Sequence, residues 1–324
     1  MAISAIVFTV ILLTLLISYY TYRTAFYAPP DQHCGPDDPL MGKQYEEVAE
    51  HLQRISGIMQ KIPFETVCIK SFDGLILHGR YDHIQDGAPL EILFHGYRSC
   101  AFRDCSGGHA LARKMGFNTL VVDQRAHGES EGQVISFGIN ERQDCKDWIR
   151  YAVDRFGSET PILLSGLSMG AATVLMASEL DLPGNVVCIV ADSPYSAPGA
   201  IIEKVCSDMH YPVLLCRPFI HLGALLYGHF RLNSCSAADA VRKTDIPILL
   251  IHGEADHFVP CSMTQEIMEA SASPTQAHTF PNAGHGLSYI TDPRRYEQIV
   301  FRFLSTIPAL DGSISTNFIE QLEN

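Results

Sequence analysis

Ser168 stands at the centre of Gly166-Leu167-Ser168-Met169-Gly170. An apolar run, Ile162-Leu163-Leu164-Ser165, leads into it, and Ala171-Ala172-Thr173-Val174-Leu175 follows with the composition of a helix. A strand that turns at once into a helix holds the corner residue in strained backbone. The residues two before and two after must be small, because a Cβ there would collide with the chain. Such a corner lifts a hydroxyl above the sheet, and the adjoining helix N-terminus favours negative charge. The chemistry prepared is nucleophilic attack, and a serine hydroxyl attacks well only when a base takes its proton.

His285 is the candidate base. It lies in Asn282-Ala283-Gly284-His285-Gly286, after a weak strand pattern at Ala277–Phe280, and its flanking glycines suit a loop that reaches back to Ser168. His95 and His127 stand beside glycines in early loops and read as local turn contacts, and His252 ends an apolar run. A base that becomes protonated needs an acid to fix its tautomer and stabilise the imidazolium. Asp256, in Gly253-Glu254-Ala255-Asp256-His257, follows the run Ile248–Ile251 and is preferred, with Glu254 and Asp192 as the alternatives. His252, Asp256, His257 and His285 would also make a set of metal ligands, but the nucleophile motif already accounts for two of them. No metal and no cofactor is therefore expected.

Five segments taken together resemble the α/β-hydrolase superfamily: Phe94-His95-Gly96-Tyr97, Asp123 to Ser130, Gly166 to Gly170, Gly253 to Asp256, and Gly284-His285-Gly286. More narrowly they are similar to its membrane-anchored esterases and thioesterases and to its serine-aminopeptidase-like hydrolases. The resemblance spans residues 64–306, in the family's order. It implies a Ser-Asp-His triad, here Ser168, Asp256 and His285, and hydrolysis of carboxyl-ester type. The negative oxygen of the tetrahedral intermediate then needs backbone N–H donors. Met169, directly after the serine, and Tyr97, after His95-Gly96, are the expected pair. Asp123 to Ser130 looks like the family's structural turn, with Arg125, His127 and Gly128 as scaffold.

The elements that must carry these residues are readable from patterning. Phe64–Phe72 and Leu75–Tyr81 alternate around Asp73-Gly74 as a hairpin. Short apolar strands follow at 90–94, 119–122, 161–165, 186–191 and 248–251, separated by helical stretches at about 101–115, 139–156, 169–180, 262–271 and 293–305. Strands alternating with helices predict an α/β fold with a mostly parallel sheet flanked by helices, whose chemistry lies beyond the C-terminal strand ends. Between Asp192 and Ile248 no strand pattern occurs. That stretch is expected to form a helical cap at about 195–245, with Tyr211–Phe230 above the active site. Residues 307–324 are expected to be a C-terminal tail.

Residues 1–22 carry no charged side chain, Arg23 is the first, and Tyr19, Tyr20 and Tyr22 close the apolar run. A helix of about 20 residues crosses the hydrocarbon core, and tyrosines suit its edge. The run is long, nothing basic precedes it and no small-residue cleavage site follows, so an uncleaved transmembrane anchor is expected rather than a signal peptide. Residues 23–63 are read as a Pro-rich linker followed by an amphipathic helix over 40–61. Arg23 on the C-terminal flank and 10 scattered cysteines place the catalytic domain on the cytoplasmic side. With 23 Lys plus Arg against 36 Asp plus Glu, the chain has a net charge of −13, which excludes a nucleic-acid partner. The expected function is a single-pass membrane serine hydrolase acting on a small acyl substrate, an ester or thioester, through an acyl-Ser168 intermediate. Lipid-like acyl compounds are the favoured class, and membrane lipid is the partner of the N-terminal helix. A serine peptidase and a non-catalytic hydrolase-like binding protein are the alternatives.

Overall fold

The computed structural model describes residues 2–29 and 43–323. Most of the Pro-rich segment, and the first residues of the helix expected over 40–61, fall at 30–42, outside the described residues. The first helix, α1, runs Ala2–Ala25, three residues beyond the expected end of the anchor. Its length and apolarity suffice to cross a membrane. Its C-terminal part joins the domain: Ser18 and Tyr22 are buried, and Phe26 just after it packs edge-on against Phe137 and Phe230. The expected single amphipathic helix is, in its described part, two helices: α2 (Lys43–Glu46) and α3 (Ala49–Met59).

A hairpin, β1 (Glu65–Lys70) and β2 (Ile76–Asp82), turns at Asp73-Gly74 with Gly74 at φ 97°. Beyond it come β3 (Leu90–Phe94), α4 (Ala101–Asp104), α5 (Ser106–Met115), β4 (Asn118–Val122), α6 (Glu141–Phe156), β5 (Ile162–Leu167), α7 (Met169–Ala177) and β6 (Val186–Asp192). The insert holds α8 (Pro198–Asp208), α9 (Val213–Leu226) and α10 (Ala237–Ala240). The chain closes with β7 (Ile248–Gly253), α11 (Cys261–Ala270), β8 (Thr275–Phe280), α12 (Ser288–Thr291), α13 (Pro293–Leu304) and α14 (Thr316–Glu323).

The eight strands form one sheet in the order β1-β2-β4-β3-β5-β6-β7-β8. β2 pairs antiparallel with both β1 and β4, and the remaining pairs are parallel. The central strands β3, β4 and β7 are buried along their whole length, as parallel strands covered on both faces must be. Alternation still sorts their side chains. Ile162 and Leu164 of β5 face a core shared with Trp148 and Val174, while Leu163 faces the other core with Leu111, Val300 and Phe303. Residues 307–323 are not a loose tail. A 3₁₀ turn at Pro308–Leu310, the turn after it and helix α14 bury Leu310, Ile314 and Phe318 in the core shared with Phe303 of α13.

Register fixes what meets at the C-terminal edge of the sheet. Phe94 pairs with Gly166, Leu167 with Asp192, and Asp192 with Ile251. The loops after β3, β5, β7 and β8 therefore open side by side, and they carry Tyr97, Ser168, Asp256 and His285 respectively.

Candidate active site

Ser168 adopts φ 55° and ψ −114°, a backbone conformation that L residues rarely occupy. The turn is tight enough that a Cβ on Gly166 would lie 2.3 Å from the Gly170 carbonyl carbon. A Cβ on Gly170 would lie 2.1 Å from the Phe94 oxygen. Both glycines are thus required by backbone contacts that no side-chain movement relieves. The Ser168 N–H donates to Asp192 O at 2.8 Å, which locks the corner to the neighbouring strand.

The structure brings Ser168, His285 and Asp256 together. The Ser168 hydroxyl donates to His285 Nε2 at 2.9 Å, and His285 Nδ1–H donates to Asp256 Oδ2 at 2.6 Å. Asp256 Oδ1 accepts the N–H groups of Phe258 (2.9 Å) and Val259 (2.8 Å). His252 is a further member that its place at a strand end did not disclose. Fully buried, it sets Nε2 at 3.2 Å from Asp256 Oδ2 and 2.9 Å from Val259 O, while its Nδ1 faces the Thr264 hydroxyl at 2.6 Å. Burial alone would raise the Asp256 carboxyl. Hydrogen bonds from His252 and His285, the charge of His285 and the Val259 N–H outweigh it and hold the group well below the ordinary carboxylate range. Asp256 therefore stands beside His285 as a carboxylate. Glu254 points instead to the Thr279 hydroxyl (2.6 Å). Asp192 accepts from Ser193 (3.0 Å) and is raised to about 6, first by burial.

The loop after β3 is braced on alternate residues. Gly96 N–H donates to Asp104 Oδ2 at 2.8 Å, and Arg98 N–H donates to His127 Nε2 at 2.9 Å. The break between α4 and α5 brings Asp104 to this position. His127 serves as an acceptor because it is neutral: burial, then the neighbouring His95, depress it to about 3, and its Nδ1–H donates to Arg125 O (2.9 Å). Arg125 in turn is clamped by Asp144 at 2.6 and 2.7 Å and by Asp73 at 2.9 and 3.1 Å. Between the two braced residues, the N–H of Tyr97 has no protein acceptor among the described residues, nor has that of Met169 at the start of α7.

These groups open into a cavity of about 630 Å³. Its roof departs from expectation. No residue between 195 and 245 lines it, so the insert does not cover the site. Gln44, Tyr45 and Leu52 from α2 and α3 do, together with Ala28 and Phe258. Tyr45 OH donates to His285 O (3.1 Å), and Gln44 Oε1 accepts the His285 N–H (3.2 Å). The insert is drawn away because Gly223 of α9 offers a groove that α1 fills; a Cβ there would lie 2.5 Å from Ser18 O. The inner part of the cavity runs between α5 and α13 along Leu111, Met115, Leu163, Val190, Val300 and Leu304. Glu91 and Ser165 stand in its floor, hydrogen-bonded to each other.

A model of the alpha/beta hydrolase family matches residues 92–299, well over half of the chain, across this fold and site. The chain belongs to the α/β-hydrolase family. Among its relatives is the uncharacterized protein YqkD of Bacillus subtilis, 25% identical over 250 residues, covering 77% of this chain and 81% of that one. Among solved structures, the Pyrococcus furiosus esterase Pf2001 superposes with a TM-score of 0.62 at 21% identity, over 84% of this chain and 99% of that one. Est1E of Butyrivibrio proteoclasticus, with ferulic acid bound, superposes at 0.57 and 19% identity, over 75% and 99%. At these identities the two structures show a shared fold.

Burial raises the Glu91 carboxyl from 4.5 to about 7, against the single opposing hydrogen bond from Ser165. The folded chain then holds a proton on Glu91 up to about pH 7, where the unfolded chain has already released it. Between these values the native state binds more protons, so stability falls as pH rises and the loss is complete above pH 7. Glu91→Gln is expected to remove this component: between about pH 5 and 7.5, its Tm should decline less than that of the unmodified chain. Parallel Tm–pH curves would show that Glu91 ionises as readily folded as unfolded.

Proposed function

We propose that this chain is a serine hydrolase that cleaves a carboxylic ester or thioester through an acyl-Ser168 intermediate. The observation that carries the reading is the unbroken chain of hydrogen bonds from Ser168 through His285 to Asp256. His285 Nε2 takes the Ser168 proton as Oγ attacks the acyl carbon. The Tyr97 and Met169 N–H groups receive the oxyanion, and donors aimed at that charge are commonly the largest catalytic contribution. His285 then gives its proton to the leaving alcohol or thiol, and a water activated by the same imidazole releases the acid. Asp256 keeps Nδ1 protonated, so that Nε2 is the free base, and it offsets the imidazolium charge. The name esterase borne by Pf2001, which shares the fold, agrees with this reading.

The acyl group of the substrate occupies the inner cavity. Its Leu, Met and Val lining rewards methylene burial at roughly 0.8 kcal/mol each. Glu91 in the floor, raised to about 7 by burial, carries less charge there than an exposed carboxylate would. Medium and long acyl chains are therefore the favoured substrates. The chain-binding surface is the cleft between α5 and α13, not the insert. Helix α1 anchors the enzyme in the membrane from which such amphiphilic esters come.

Ser168→Ala is expected to abolish both turnover of p-nitrophenyl esters and labelling by a fluorophosphonate probe, with Tm unchanged. Labelling that persists in the folded variant would move the nucleophile elsewhere. Asp256→Asn should lower kcat by on the order of 10³- to 10⁴-fold, because it disturbs the tautomer and leaves the imidazolium uncompensated. Asp192→Asn and Glu254→Gln, which make no hydrogen bond to His285, should cost far less. A larger loss in Asp192→Asn would transfer the acid to that strand end.

A further inference from the structure

Helix α9 lies along α1. Thr21 Oγ1 donates to Phe219 O at 3.0 Å, Gly223 abuts Ser18, and Tyr227 OH donates to Leu15 O at 3.1 Å. The two helices thus run antiparallel over Leu15–Thr21 and Phe219–Tyr227. Along Ala2–Leu13 every residue of α1 is exposed, a length of about 18 Å. A hydrocarbon core is about 30 Å thick. The remaining ~12 Å of span must come from the stretch of α1 that carries α9. Over that stretch α9 exposes Leu225 (47%) and Leu226 (41%). From Pro218 to Phe230 there is no Asp, Glu, Lys or Arg. Thr21 and Tyr227, at the two ends of the contact, each donate to a carbonyl of the other helix, as hydrocarbon requires, while the Ser18 hydroxyl between them is buried without a partner among the described residues. Arg23 lies 3.8 Å over the Tyr27 ring just beyond, where an interfacial belt belongs.

We propose that the α9 surface at Leu225 and Leu226 is a second bilayer contact, which seats the hydrolase domain in the lipid that α1 crosses. The proposal rests on α1 being a membrane helix. It also gives the cavity a source of substrate. Ala28, three residues past the end of α1, lines that cavity, so the cavity reaches the end of the membrane helix, from where an amphiphilic ester would enter. The test uses the full chain in phosphatidylcholine vesicles, with Leu226→Trp, Leu12→Trp and Ile58→Trp made singly. Quenching by chain-brominated phosphatidylcholine is read above the constant signal of buried Trp148. Leu226→Trp should be quenched as strongly as Leu12→Trp, and Ile58→Trp, on the exposed side of α3, should not. Quenching of Leu12→Trp without Leu226→Trp would overturn the seat and leave the anchor. Loss of quenching at both would overturn the anchor as well.

A separate set of hydrogen bonds joins α1 to the site. Tyr97 OH donates to Ala25 O at 2.8 Å, and Arg98 Nη2 donates to Thr24 O and Tyr27 O, each at 3.0 Å. The last carbonyls of a helix have no intrahelical partner and form its negative end, so a phenol and a guanidinium suit them. We infer that the C-terminal turn of α1 holds the loop that aims the Tyr97 N–H, with the Tyr97 phenol and Arg98 as positioning groups. This rests on the oxyanion role assigned to that N–H. In the full chain, Tyr97→Phe keeps the ring stacked on Phe137 and removes only the hydroxyl. Tyr97→Phe and Arg98→Ala should each lower kcat by roughly tenfold with KM little changed, and Arg98→Lys should recover part of the loss. A lower Tm with kcat intact in both variants would make the contacts merely structural and overturn the inference. Inactivity of the unmodified chain on every ester and thioester would instead overturn the functional reading beneath it.

Discussion

A backbone of φ 55° at Ser168 survives only because the chain around it leaves no relaxed alternative. The Gly166 and Gly170 backbones approach so closely that a methyl group fits at neither position, and the Ser168 N–H is held by Asp192 O on the neighbouring strand. The register of β3, β5 and β6 supplies this pressure. Phe94 lies opposite Gly166, and Leu167 opposite Asp192, so α7 must begin directly against the end of β3. Met169 follows Ser168 at the start of α7, Tyr97 lies in the loop after β3, and the N–H groups of both have no protein acceptor among the described residues. Each further feature of the site is a way of holding something still around that corner.

Two supports differ in kind. His285 is oriented through charge and hydrogen bonds by Asp256, which is itself saturated by His252 and two backbone N–H groups and so stays ionised despite its burial. The loop bearing Tyr97 is oriented by neutral acceptors and by a helix end. His127 stays uncharged because it is buried beside His95, and its lone pair accepts the Arg98 N–H. A charged imidazole there would turn a donor toward a donor. The Arg125 pairs with Asp144 and Asp73 anchor this scaffold from the outer side.

The cavity and the insert have exchanged the parts that topology alone suggests for them. The insert follows β6, next to the strand that leads into Ser168, yet it sends α9 to α1 and leaves the site to α2 and α3. Helix α1 is therefore both neighbour to the insert and support for the loop after β3. Apolar burial explains the first role, through the Gly223 groove and the Phe26 cluster, and helix-end electrostatics the second.

The sequence alone determined what depends on short-range constraint. The elbow is legible because only glycine fits at Gly166 and Gly170, the strand positions because buried parallel strands are mostly apolar, and His285 because glycines flank it. The apolar run before Arg23 announces α1 by length alone. Tertiary structure decided whatever depends on distant segments meeting. Asp256 rather than Asp192 faces His285 through the path of the loop after β7, and His252 joins it from the end of that strand. Gln44 and Tyr45 of the stripe over 40–61 bond to His285, some 240 residues away in sequence. Leu310, Ile314 and Phe318 read as part of a tail until the core around α13 receives them. An apolar segment such as Tyr211–Phe230 states that it will be buried or lie in lipid, but not against what. That partner is settled by shape, at the one position where a glycine lets two helices touch.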